Sequence, residues 1–122
     1  MVDKRGKQTM ETFVKGEVVV LPFPFSDFSA FKNRPAMIIA KMDGDDVVLC
    51  QITGTKRNDG YTIDLTDANF EVGNLMGDSL IRANKLFTVD QKAVLYKVGL
   101  VKQEKIKEVE DKVVGLIRGE SA

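Results

Sequence analysis

Almost every segment of this 122-residue chain that favours regular structure is short, and this limits the possible folds more than any other feature of the sequence. Runs of β-branched and apolar residues are interrupted within a strand's length by glycine, proline or clustered polar residues, which is the pattern of β-strands. No apolar run is long enough to cross a membrane as a helix. The pattern predicts five or six strands, in residues 17–21, 34–41, 46–53, 62–65, 79–84 and 93–100.

Helical periodicity is convincing only near the end of the chain. In residues 102–118, Ile106, Val109 and Val113 recur at helical spacing, and lysine and glutamate occupy the other side. Short strands followed by one amphipathic helix predict a mainly β fold with a C-terminal helix, arranged as a small, SH3-like, partly open β-barrel. The length suits one domain over residues 1–122, with residues 1–13 as a polar N-terminal extension.

Two stretches between the strands predict loops. Residues 22–33 hold two prolines and several polar residues, and we expect one long loop there. Four of the chain's seven phenylalanines, including Phe23 and Phe25, lie in this stretch. They would stack on single-stranded bases or, as such residues more often do, hold the loop against the barrel or form an oligomer contact. Residues 54–60 predict a second, polar loop, and the segment after residue 65 is irregular with room for a helical turn.

The absence of histidine excludes more chemistry than any other compositional feature. A histidine pair acting as general acid and base is excluded, and so is a Ser-His-Asp or Cys-His nucleophile. With one cysteine, Cys50, the usual ligands of zinc are lacking, and we expect neither a metal nor a cofactor. A lone cysteine and a polar start without a signal peptide favour a cytoplasmic protein. The net charge of zero does not by itself favour nucleic acid, although a local basic patch can still bind it.

The residues most suited to phosphate chemistry lie at two predicted strand ends. Proline fixes Arg34 in an extended conformation because Pro35 follows it, and this orients the guanidinium for a phosphate. Thr53 ends a later strand, and a short hairpin should bring it beside Arg34. Lys56 and Arg57 follow and add positive charge that suits a sugar-phosphate backbone. Taken singly, each feature is more often an ordinary solvated strand end or loop.

In combination, these segments resemble the MazF/PemK family of toxins. The resemblance spans about residues 14–118 in the family's order and is specific only as a set. The matching segments are GEVVVLPFPFSD at residues 16–27, NRPAMII at 33–39, QIT at 51–53, SLIRANKLFTVD at 79–90 and KVGL at 97–100. Gly54 departs from the serine or threonine that is usual there, and the loop at residues 26–33 carries more aromatic residues than usual. Both departures border the expected RNA groove and leave the cleavage sequence open.

The resemblance implies a homodimer that cuts single-stranded RNA at short sequences. It places the catalytic arginine and threonine on Arg34 and Thr53, and an RNA-binding lysine on Lys85. With Lys56 and Arg57, Phe25 and Ser26 complete the expected RNA-binding set. The implied partner is an antitoxin whose acidic tail covers the RNA groove, with operator DNA reached only through the antitoxin.

Without histidine or metal, the RNA's own 2′-hydroxyl is the expected nucleophile. Arg34 would stabilise the phosphate oxygens and Thr53 would orient the phosphate or the hydroxyl. No general base is identified, although Asp27 is possible. Two alternatives stay open, namely a non-catalytic toxin of the CcdB type and an inactive homologue that binds only nucleic acid or antitoxin.

Overall fold

Seven strands form a single antiparallel sheet in the part of the chain that the computed structural model describes, which is residues 13–24, 31–56 and 58–120. The sheet order is β4-β6-β3-β2-β1-β7-β5, and one helix follows the last strand. The elements are β1 Glu17–Pro24, β2 Phe31–Lys41, β3 Asp46–Thr53, β4 Thr62–Leu65, β5 Phe70–Gly73, β6 Ser79–Asp90, β7 Tyr96–Val101 and α1 Gln103–Arg118. This mainly antiparallel, curled sheet with a C-terminal helix confirms the predicted fold class.

Alternation along the strands gives the sheet two apolar faces. One face, here called the helix face, carries Met37, Cys50 and Ile81, and α1 packs on it. As predicted, Ile106, Val109 and Val113 are the buried residues of that helix. The opposite face, here called the distal face, carries Leu21, Ala36, Ile38, Val47 and Leu49 as its buried core. Side chains two residues apart on a strand therefore share a face, and this places the candidate site residues.

The start of the described chain is anchored to the distal face. Phe13 is the one residue of the predicted polar extension that lies in the described part, and it is buried in the distal cluster. The Lys97 ammonium lies 5.1 Å from the centre of the Phe13 ring and 3.0 Å from a carboxylate oxygen of Glu17. Glu17 also accepts a 2.6 Å hydrogen bond from the Val14 amide. These contacts satisfy the buried carboxylate, which would otherwise be costly.

The prediction of one loop over residues 22–33 is wrong at both ends. β1 extends to Pro24 and β2 begins at Phe31, with Pro22 paired to Asn33. The Val20 carbonyl accepts from the Leu95 amide on the β7 side of β1, so Pro22 and Pro24 direct their backbone nitrogens to that same side. Pairing with β7 ends at Val20. The two prolines therefore remove no ladder hydrogen bond, and the strand continues through them.

Other boundaries also differ from the prediction. β6 continues to Asp90 rather than ending at residue 84, β7 begins at Tyr96 rather than at residue 93, and the short β5 is an additional strand. β6 is long because it pairs twice, with β3 along most of its length and with β4 near its start. Residues before β7 form a 3₁₀ turn instead, Gln91–Ala93. The expected helical turn after residue 65 is confirmed as the 3₁₀ turn Asp67–Asn69.

β5 joins the sheet through two glycines that permit unusually close backbones. A Cβ on Gly73 would lie 2.1 Å from the Val98 carbonyl oxygen, and a Cβ on Gly99 would lie 2.2 Å from the Val72 carbonyl oxygen. No side chain fits at either distance.

No described helix has the length and apolarity that a membrane span requires.

Candidate functional site

A transverse row of side chains crosses the distal face at the end of β3. The register pairs Ala36 with Gln51, and continuing it by two residues places Arg34 opposite Thr53. Both side chains share the distal face, because each lies two residues from one of that pair. The pairing of the neighbouring strands extends the row to both sides. From one edge inward it contains Asp64 on β4, Leu80 on β6, Thr53 on β3, Arg34 on β2 and Leu21 on β1.

Arg34 is the central cation of this row. Directly opposed residues on antiparallel strands have Cβ atoms about 5 Å apart, so the continued register places Arg34 within side-chain reach of Thr53. The Arg34 side chain is half-buried and forms no ion pair with any residue in the described ranges. The predicted proximity of Arg34 and Thr53 agrees with the register. An oriented arginine without a carboxylate partner is suited to an anionic ligand.

The Thr53 hydroxyl is held in place by the turn that follows it. Its Oγ1 atom accepts a 3.1 Å hydrogen bond from the Thr55 amide. This bond fixes the oxygen and leaves the hydroxyl proton available for donation to a ligand. Gly54, which departs from the family pattern, has open space around it, since a Cβ there would meet nothing within 4 Å.

A groove of about 300 Å³ lies next to the row on the distal face. Phe23 and Phe87 meet edge to face across it, with ring centres 4.8 Å apart. Lys85 lines the groove and lies in the part of β6 where the register with β3 shifts between Cys50 and Ile52. The groove is lined by Leu21, Pro22, Phe23, Gln51, Lys85, Leu86, Phe87 and Val89. It combines an apolar floor, an aromatic pair and one cation.

Lys56 lies in a different place from Lys85. It lines a separate pocket of about 320 Å³ beyond Thr53, here called the carboxylate pocket. This pocket is lined by Gly54, Lys56, Asp64, Thr66, Asp78, Ser79 and Leu80. The predicted cations are therefore divided between two depressions, one on each side of the Arg34–Thr53 pair. Of the other predicted RNA-binding residues, Phe25, Ser26 and Arg57 lie outside the described residues, as does Asp27.

Sequence reasoning missed several polar residues of the same face. Gln51 lines the groove two residues before Thr53, and Asp64 and Asp78 line the carboxylate pocket. Arg82 lies two residues after Leu80 on β6, is half-buried, and has a buried Nε atom. Strand alternation from Thr53 would have found Gln51, whereas Asp64 and Arg82 required the pairing of β4, β6 and β3. Within the described ranges, no group of three or more acidic or cysteine side chains could hold a metal ion.

Solved structures with this architecture include several bacterial toxins. A mycobacterial endoribonuclease superposes with a TM-score of 0.69 at 15% identity, over 94% of this chain and 99% of its own. A mycobacterial endoribonuclease in complex with its cognate antitoxin gives a TM-score of 0.65 at 13% identity, over 91% and 99%. A MazE–MazF complex from Deinococcus radiodurans gives 0.64 at 17% identity, over 88% and 96%. These similarities define the fold as that of MazF-type toxins.

The family follows from the sequence itself. The model of the PemK-like, MazF-like toxins of type II toxin-antitoxin systems matches residues 14–117. The chain therefore belongs to the PemK/MazF-like toxin family, as the sequence motifs predicted. No curated protein matches it significantly by sequence.

Proposed function

We propose that this protein is an endoribonuclease toxin that cleaves single-stranded RNA at short specific sequences. The feature that carries the proposal is the position of Arg34 opposite Thr53, which follows when the β2–β3 register is continued two residues past the Ala36–Gln51 pair; Arg34 has no ion-pair partner in the described chain and the Thr53 hydroxyl is fixed. Membership of the toxin family and the endoribonuclease names of structural neighbours support the same activity. The groove and the carboxylate pocket continue the surface on either side of this pair.

The proposed reaction is a transesterification within the RNA. The 2′-oxygen forms a bond to the adjacent phosphorus while the bond from phosphorus to the 5′-oxygen breaks. The 2′-hydroxyl loses its proton, the leaving 5′-oxygen gains one, and the products are a 2′,3′-cyclic phosphate and a 5′-hydroxyl end. Arg34 donates two parallel hydrogen bonds to the non-bridging oxygens, where negative charge grows in the transition state. Thr53 donates a hydrogen bond to the phosphate or to the 2′-oxygen and keeps that group aligned for the reaction.

This reaction requires no metal ion. The nucleophile is part of the substrate, and the arginine supplies the charge stabilisation that a cation would otherwise provide. The sequence has no histidine and one cysteine, Cys50, which is buried on the helix face. We therefore propose that cleavage persists in EDTA.

We propose that the active form is a homodimer. Exposed apolar side chains cluster around a groove of about 390 Å³ between the end of α1 and β6. Among them, Tyr61 and Leu86 are each 40% exposed and Ile117 is 74% exposed. A cluster of this kind is typical of a subunit interface. Leu86 lines both this surface and the Lys85 groove, so a second protomer bound here would extend the groove.

We also propose that an antitoxin with an acidic tail neutralises the protein at the RNA site. The cations Arg34, Lys56 and Lys85 form no ion pairs within the described chain, and an acidic peptide would satisfy them as RNA does. Structural neighbours occur in complexes with antitoxins. Contact with operator DNA would occur only through the antitoxin.

Digestion of a long unstructured RNA by the purified protein in EDTA tests the proposed activity. We expect discrete fragments from cuts at a short shared sequence, and Arg34→Ala protein purified in parallel should leave the RNA intact. An intact RNA with wild-type protein would contradict the proposal. It would favour a non-catalytic toxin of the CcdB type if the RNA is not bound, or an inactive homologue if it is bound.

A further inference from the structure

We infer that the carboxylate pocket is a specificity site that takes a guanine base of the RNA, an inference that rests on the proposed function. The pocket opens beside the cleavage pair and has a volume of about 320 Å³. Its lining combines Asp64 and Asp78 with the polar residues Lys56, Thr66 and Ser79. Hydrogen-bonding groups of this density in a depression recognise a polar ring edge rather than an apolar side chain.

The pocket is aligned with the cleavage pair by the sheet itself. Asp64 lies in the same transverse row as Thr53, with β6 between the two strands. Neighbouring strands are about 4.8 Å apart, so the backbone of Asp64 lies roughly 10 Å from that of Thr53. An RNA strand whose phosphate rests on Arg34 and Thr53 would therefore bring the base of a nearby nucleotide over the pocket.

The charges of the pocket favour a base over the RNA backbone. Asp64 and Asp78 repel phosphates, and as ionised carboxylates they accept hydrogen bonds but donate none, so they require a ligand with donor groups. Neither carboxylate forms an ion pair with a residue in the described ranges, so both are available to a ligand. Lys56, in the same lining, offsets part of their charge and can hold a flanking phosphate.

Among the four bases, guanine fits this donor requirement best. Its Watson–Crick edge presents the N1–H and the 2-amino group side by side, and these match the two oxygens of one carboxylate. Its 6-oxygen can accept from the Lys56 ammonium. Adenine and cytosine each present one amino group, and uracil presents one N–H between two carbonyl oxygens that a carboxylate repels. A base extruded from a single strand is commonly recognised along this edge.

Asp64 is free to serve this purpose because the fold does not need its side chain. Its neighbours Ile63 and Leu65 are buried and anchor β4, whereas Asp64 is exposed on the opposite side of the strand. Asp64→Asn should therefore fold normally while replacing one acceptor oxygen by a donor amide. Asp43→Asn makes the same chemical change in the exposed turn at the far end of β2 and β3 and is the matched control.

Binding of RNA that cannot be cut separates this inference from the proposed activity. The probes are short 2′-fluoro oligouridines, one all uridine and one with a single central guanosine, measured by fluorescence anisotropy in EDTA. We expect wild-type protein and Asp43→Asn to bind the guanosine probe about tenfold more tightly, the usual discrimination of one bidentate base contact. Asp64→Asn should bind both probes equally. Replacing the guanosine by inosine, which lacks the 2-amino group, should weaken binding to wild-type protein and leave Asp64→Asn unchanged.

Equal binding of both probes by wild-type protein would overturn the inference, whether or not the protein cleaves RNA. A guanine preference that Asp64→Asn retains would overturn it as well. A preference that depends on Asp64 in a protein that cuts no RNA would uphold the guanine site and refute the proposed cleavage activity.

Discussion

Replacing Arg34 by alanine should separate catalysis from stability more sharply than any other single substitution. Arg34 is half-buried on the distal face, and within the described ranges it forms no ion pair that the substitution would break. We therefore expect the free energy of unfolding to change by no more than about 0.5 kcal/mol, as at sites without special contacts. In the transition state, however, the guanidinium would stabilise a phosphate directly opposite Thr53.

The expected loss of activity is large. Removing an arginine from a phosphoryl transition state typically costs about 10³-fold or more in turnover. That factor corresponds to about 4 kcal/mol of transition-state stabilisation, roughly eight times the bound on the stability change. Arg34→Lys keeps the charge but loses the planar fork, so it should recover only a small part of the lost rate.

Single-turnover cleavage of a fluorescent RNA measures the rate, and urea denaturation measures stability on the same preparations. Lys92→Ala is the control, because Lys92 is an exposed cation in the 3₁₀ turn at the far end of β6. It should cleave at the wild-type rate. Near-wild-type cleavage by Arg34→Ala would refute the catalytic assignment. A decrease in the free energy of unfolding as large as the increase in activation free energy would show that Arg34 acts through the fold.

Three further predictions concern partner binding, assembly and the core. An acidic antitoxin peptide should compete with RNA for one site, with affinity falling steeply as salt rises, and a stable ternary complex of protein, RNA and peptide would contradict shared occupancy. Ile117→Glu should convert a dimer to monomers that still fold, in sedimentation experiments, because Ile117 is 74% exposed in the protomer, whereas Gln103→Glu at the exposed start of α1 should remain dimeric. Burial raises the pKa of the Cys50 thiol from 9.0 to about 12, so the neutral thiol contributes stability fully below pH 9 and loses it as the pH rises towards 12. Urea denaturation should therefore show a steeper decline between those pH values for wild-type protein than for Cys50→Ala, and equal slopes would contradict the effect of burial.

The sequence predicts those elements whose residues have an unambiguous period. The predicted helix spans residues 102–118, and the observed helix begins one residue later because Lys102 is its N-cap. The predicted bounds of β3 match the observed ones, since its apolar run is bordered by a turn and a glycine. Pro22 and Pro24 are typical loop residues in a single sequence, which does not show that pairing with β7 ends ahead of them. Their place in β1 depends on which side of the strand has a partner.

The site is predictable to the extent that it is local in sequence. The hairpin between β2 and β3 is short, so the sequence alone is enough to place Arg34 and Thr53 side by side. Lys56 and Lys85, both expected to bind RNA, lie in different depressions, and nothing local in the sequence indicates this separation. β6 separates them, because the start of this strand pairs with β4 at the carboxylate pocket and its later residues pair with β3 at the groove. No periodicity in the sequence marks these pairings, and Asp64 escapes prediction for the same reason.

Attack by the RNA's own 2′-hydroxyl is the central feature of the proposed mechanism, and matched ribose and deoxyribose substrates test it most directly. One RNA carries the mapped cleavage site unchanged, and the other lacks only the 2′-hydroxyl next to the scissile phosphate. Mass spectrometry of the fragments should show a 2′,3′-cyclic phosphate or its 3′-phosphate hydrolysis product, together with a 5′-hydroxyl end. The deoxy substrate should bind, because backbone charge and bases are retained, but it should remain uncut. A 5′-phosphate product, or cleavage of the deoxy substrate, would identify water as the nucleophile and contradict the mechanism assigned to Arg34 and Thr53.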